Sequence, residues 1–150
     1  MTCDYIVDAI IGFSGFDYLV NDEQLLQLIS LAIQKDYSVQ IDNASHMDFA
    51  TAVVSQPKTI ERLAGEEKPD LIHGLTGLYL CGHCGGYDGT LIVVHVNIYK
   101  KKVVWSNIGY SSDVIELHPK HEPFERLPTY SFERDNYDAF LSNMRPYEIQ

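Results

Sequence analysis

An α+β fold is predicted: one domain over residues 1–150, with a mainly antiparallel sheet, a central hairpin and two main packed helices. Three observations predict it. Thr90 to Ile98 and Lys102 to Tyr110 are rich in β-branched and aromatic residues and flank a short lysine-rich connection, the pattern of two strands joined by a tight turn. Residues 22–35 and 133–143 carry apolar positions at helical spacing. A chain of 150 residues that is 45% hydrophobic and 21% charged suits one buried core, with no repeat, low-complexity segment or interdomain linker.

Taken in order, CDYIVDAII at residues 3–11 reads as a first strand broken by Gly12 and Gly15, with Phe13, Phe16 and Tyr18 as core candidates. Asn21 followed by Gln24 resembles a capping box, and Asp22 and Glu23 add negative charge where a helix dipole favours it. A helix is therefore expected from Asp22 to about Lys35, burying a wide face of Leu25, Leu26, Leu28, Ile29, Ala32 and Ile33. Tyr37, Val39 and Ile41 alternate as a strand would, and Phe49 to Val54 reads as another. Pro57 opens a short helix, Lys58 to Ala64, that Gly65 ends.

In the first hairpin strand Ile92, Val94, Val96 and Ile98 share one face and Leu91, Val93, His95 and Asn97 the other, so chain is expected over both faces. Strict alternation in the second puts Val104, Ile108 and Tyr110 opposite Val103 and Trp105. Lys100, Lys101 and Lys102 at the turn discourage edge pairing and serve solubility rather than phosphate binding. His95, flanked by apolar residues, reads as a half-buried side chain and not a catalyst. Near the end, Phe132 before Glu133 and Tyr137 after it suit a hydrophobic staple, with Tyr137, Phe140, Leu141 and Met144 on the inner face of the last helix.

Before the hairpin stands Cys81-Gly82-His83-Cys84-Gly85-Gly86, whose spacing lets two thiolates reach one zinc ion or form a redox pair. A structural zinc needs four ligands, and no second CxxC or HxxxH exists in the chain; Cys3, His46, His73, His95, His118 and His121 are not selected by spacing. A thioredoxin-like motif would open a helix, whereas glycines and a strand follow here. No cofactor and no metal is the favoured reading, with zinc at Cys81 and Cys84 as the alternative. His118, His121 and Glu122 have ligand-like spacing, but Pro119 and Pro123 oppose the helix that would align them. No GxSxG and no phosphate-cradling glycine loop is present, so no catalytic residue is assigned.

The motifs LYLCGHCGGYDGTLIVVHV, VVWSNIGY and YSFERDNYDAFL, with TIERLAGEEKPDL upstream, resemble a family of small bacterial proteins of unassigned function. That family's pattern runs LYVCPECGDxGCG, then VVWxxFGYE, then FxFDRxxYxxxL, and the likeness covers roughly residues 59 to 144. Cys81, Cys84, Gly85, Val104, Trp105, Gly109, Tyr110, Phe132, Arg134, Tyr137 and Leu141 match. Gly89 stands where the pattern has a third cysteine, which weakens a metal reading. The resemblance implies a shared fold more than an activity.

Acidic residues number 21 against 11 basic, for a net charge of −10 and a pI near 4.8. That balance opposes nucleic-acid phosphates and anionic lipid and favours a basic protein partner. Three cysteines are too few for a disulfide scaffold, no signal-peptide pattern opens the chain, and no apolar run suits a membrane span, so a reduced, cytoplasmic setting is expected. Residues 111–129 mix proline with Asp113, Glu116, Glu122 and Glu125, and read as a long ordered excursion or a partner-facing loop, with those four acidic residues as the candidate partner contacts. The expected function is non-enzymatic protein binding, as in a cytosolic immunity protein that neutralises a basic toxin domain such as a nuclease; a zinc-binding or thiol-redox protein is the alternative.

Overall fold

The computed structural model describes residues 5–12, 15–36, 49–54, 56–69, 71, 74–81, 91–111, 121–124 and 127–148, with backbone alone at 10–12, 15–16, 33–36, 49–50, 54, 81, 110–111 and 121–122. Among them the fold is α+β. Strands β1 (Val7–Gly12), β2 (Gly15–Val20) and β3 (Glu23–Gln24) form a three-stranded antiparallel sheet in that order. The second sheet is six-stranded. Strands β4 (Phe49–Thr51), β5 (Leu75–Cys81), β6 (Leu91–Ile98), β7 (Lys102–Ser111) and β8 (His121–Pro123) cross it in sequence order. Strand β9 (Tyr130–Glu133) lies beside the first half of β7, and β8 beside its end. Helices α1 (Leu25–Asp36), α2 (Thr59–Leu63) and α3 (Arg134–Met144) complete the described elements, with 3-10 turns at Ala52–Val54 and Arg145–Tyr147.

The predicted hairpin is β6–β7, and both faces of β6 are covered. Ile92 and Val94 enter the main core, while Leu91 and Val93 join Ala52, Leu71, Leu75 and Leu80 in a smaller cluster on the other face. Strict alternation in β7 fails, however. His95 pairs with Ser106 but Val93 with Gly109, so β7 holds one residue more than β6 over this interval. Asn107, at φ 56°, takes up that bulge in the left-handed region that asparagine tolerates better than most residues. The side-chain parity is thereby reset, and Ile108 faces the same core as Val103 and Trp105 instead of the opposite side.

The start of the first helix also differs from expectation. Val20 pairs with Glu23 across Asn21 and Asp22, whose φ values of 49° and 65° make a type I′ hairpin turn. The Asn21 side chain does not cap a helix: its Oδ1 accepts the Ile6 N–H at 2.8 Å, and its own N–H donates to Ile6 O at 2.8 Å. The helix begins at Leu25. Residues 15–20 form a strand that the flanking glycines hid, and the strand expected over 37–41 lies outside the described residues. Expected helix Lys58–Ala64 is Thr59–Leu63, entered through Lys58 at φ 64° and left through Gly65 at φ 78°.

The last helix starts as its sequence predicts. Glu133 occupies the cap position, and Phe132 stacks on Tyr137 with ring centres 6.0 Å apart, which is the staple that fixes how the chain enters α3. Tyr137, Phe140, Leu141 and Met144 are buried. From the same helix Asn136 reaches β1, accepting the Val7 N–H at 2.9 Å and donating to Val7 O at 3.0 Å. A side-chain amide thus completes one rung of pairing on the open edge of the smaller sheet. Replacing Asn136 by Ala leaves both Val7 groups without this partner, and about 1–3 kcal/mol of stability is expected to be lost. Urea unfolding measures the loss, and faster Val7 amide exchange in the variant locates it.

Candidate functional site

Of the four acidic positions expected to meet a partner, the structure describes the backbone of Glu122 alone; Asp113, Glu116 and Glu125 lie outside the described residues. The frame around them is nonetheless defined. Ser111 pairs with His121, Tyr110 with Glu122 and Gly109 with Pro123. Both ends of residues 112–120 are therefore held at the spacing of one antiparallel pair. Strand β8 borders the six-stranded sheet, and Phe124 immediately after it donates its N–H to Ile108 O at 2.8 Å and is buried. Glu122 thus sits on a short edge strand clamped between main-chain pairing and a core aromatic.

The cysteine motif begins where β5 ends. Cys81 pairs with Phe49 of β4; its side chain, residues 82–90 with Cys84, and Cys3 lie outside the described residues. His46, His73 and His118 lie outside them too, and the backbone of His121 stands in β8. His95 is half-buried in β6, as expected of a strand histidine. Its Nε2 lies against Gly74, where a Cβ would come within 3.2 Å of it. Among the described residues no three His, Cys, Asp or Glu side chains gather as a metal site.

A half-buried polar cluster that sequence spacing does not reveal lies around Asp17. Asp17 of β2 receives the Tyr79 hydroxyl of β5 and the Tyr18 N–H at 2.7 Å on Oδ1, and the Leu26 N–H at 3.4 Å on Oδ2. Burial raises its carboxyl above the ordinary range, and these hydrogen bonds pull the other way. Burial likewise pushes the Tyr79 and Tyr18 phenols well above 10, with the Asp17 charge adding to the effect. Chemically the cluster is a fastener. The oxygens of Asp17 hold β2, the first turn of α1 and β5 together, so the carboxylate caps the helix that Asn21 does not. The alternation of Phe16, Tyr18 and Val20 around Asp17 was the available signal for β2, but nothing in the sequence points from Asp17 to Tyr79.

The lysine turn is held by Arg134. Its backbone N–H donates to Lys101 O at 3.0 Å and its Nη1 to Tyr99 O at 3.0 Å, while Lys102 Nζ lies 5.3 Å from the Tyr99 ring centre. Lys100 and Lys101 are exposed. Among the described residues no helix is long and apolar enough to cross a membrane. No protein-family model, curated protein or solved structure matches the chain.

Proposed function

We propose that this chain is a non-catalytic protein that binds a basic protein partner, as a cytosolic immunity protein does when it occupies a positively charged toxin domain such as a nuclease. The observation that supports this reading is the anchoring of the acidic stretch. Ser111–His121 pairing pins both ends of the segment that carries Asp113 and Glu116, and Glu122 stands on the adjoining edge strand. Pinned ends lower the ordering entropy that a partner must overcome, and the net charge of −10 draws a basic domain toward the surface.

Membership of the small bacterial family is part of the same proposal. Several residues that carry the resemblance have packing roles: Trp105, Phe132, Tyr137 and Leu141 are buried, and Arg134 holds the β6–β7 turn. Residues used in this way favour a common scaffold whose specificity lies on its edges. The reading requires no catalytic group and no cofactor.

Association kinetics with a candidate basic toxin domain test it. Replacing Glu116 and Glu122 by Lys is expected to slow association about tenfold or more at low salt and to flatten its salt dependence, with folding unchanged. A rate indifferent to both the substitutions and the salt removes this edge from the interface.

A further inference from the structure

On the smaller sheet, backbone N–H groups that face away from the neighbouring strand are taken by side-chain oxygens. Along β1 the direction of each backbone group follows from its partners. The Ile6 N–H donates to Asn21 Oδ1 and its carbonyl accepts the Asn21 N–H, both at 2.8 Å, so Ile6 faces β2. Backbone groups alternate in direction along a strand, so Val7 and Ala9 face outward while Asp8 faces its partner Leu19. Asn136 holds both outward groups of Val7, at 2.9 and 3.0 Å. The outward N–H of Ala9 donates to Asp8 Oδ1 at 2.8 Å. Just before β1, Tyr5 bridges to Phe132 in parallel, so the guarded stretch begins where the link to β9 stops.

The other side of the sheet repeats the arrangement. Strand β3 is two residues long, and the next rung of β2–β3 pairing would set Tyr18 opposite Leu25, where α1 has already begun. The Tyr18 N–H at that position donates to Asp17 Oδ1 at 2.7 Å. In both places an aspartate takes the N–H of the residue after it, on the side where the sheet stops.

We propose that Asp8 and Asn136 shut the β1 edge against the β1 edge of a second copy of this chain, and that removing them turns this edge into a self-association surface. Among the described residues no strand pairs with the outer side of β1. Such an edge is its own complement: two copies related by a two-fold axis bring the same strand together antiparallel. Joined in that way, two three-stranded sheets become one sheet of six strands. Two side chains prevent it. Asn136 fills the place of the incoming backbone at Val7, and the Asp8 carboxylate occupies the next outward donor, that of Ala9. Asp8 is exposed, so pairing would also bring one carboxylate from each copy close to the other, in molecules of net charge −10.

Amide hydrogen exchange of the full chain at low and high protein concentration, with sedimentation on the same samples, tests this. In the parent, exchange at Val7 and Ala9 is expected to be independent of concentration. In the double variant Asp8→Ala, Asn136→Ala both amides exchange faster than in the parent when dilute. On concentration they slow by about tenfold or more as a dimer forms. Asp8→Ala alone changes only an exposed side chain, so it folds as the parent does and shows the same dependence at Ala9, at higher concentration. Exchange at Ala9 that ignores concentration in both variants overturns the proposal, even where sedimentation shows association, because the copies then meet elsewhere. A parent whose Val7 and Ala9 amides already slow on concentration overturns it as well, since its edge is then open.

Discussion

Replacing Trp105 by Ala is expected to remove about 3–5 kcal/mol of stability, the scale of deleting a large aromatic from a closed core. Trp105 is the only tryptophan of the chain and has no solvent exposure. Four rings surround it at centre distances of 5.4 Å (Phe132), 5.9 Å (Tyr18), 6.1 Å (Tyr137) and 6.2 Å (Phe140), all except Phe140 nearly perpendicular to it. Those rings come from β9, β2 and α3, so the indole is where both sheets and the last helix meet. An alanine leaves a void that none of these anchored rings can fill without leaving its own contacts. Urea unfolding followed by circular dichroism measures the loss, since the variant has no tryptophan to report it. Coincident midpoints for variant and parent would show that the indole does not organise the core.

Replacing Tyr137 by Phe deletes one oxygen atom, yet a loss of about 2–4 kcal/mol is expected. That hydroxyl donates to Leu63 O at 2.6 Å and accepts the Trp105 Nε1–H at 3.1 Å, all within the core. Phenylalanine keeps the ring and strands a buried carbonyl and a buried indole N–H, each costing about 1–3 kcal/mol when unpaired. Burial, ahead of the nearby Asp138 charge, lifts the Tyr137 phenol far above its ordinary value, so it stays neutral and the effect is flat from about pH 5 to 9. A double-mutant cycle with Trp105→Phe isolates the shared bond: the two losses should sum to more than the double variant loses. Strict additivity would show that the indole N–H gains nothing from Tyr137.

The elements that could be read directly are those whose signals are local. The β6–β7 hairpin announces itself through two runs of β-branched residues and a polar turn, and α3 through its staple and inner face. Helix α1 was readable in its body but not at its start, because Asn-Asp is equally good chemistry for a helix cap and for a type I′ turn. The acidic edge was legible as composition. Its anchoring by Ser111 and His121 was not, because pairing between β7 and β8 leaves no mark on the residues that pair.

By itself, then, the sequence determined the α+β class, the central hairpin and the acidic balance of the chain, since periodicity, turn chemistry and charge are properties of neighbours along the chain. Tertiary structure alone decided which face Ile108 takes, through the Asn107 bulge, and which group caps α1. It also decided that Asp17 meets Tyr79, that Asn136 closes the edge of β1, and that Arg145 reaches Glu61. Each of these depends on where a distant backbone passes. A polar atom is satisfied by whatever donor or acceptor the fold brings within about 3 Å, and the spacing of residues along a chain carries no record of that encounter.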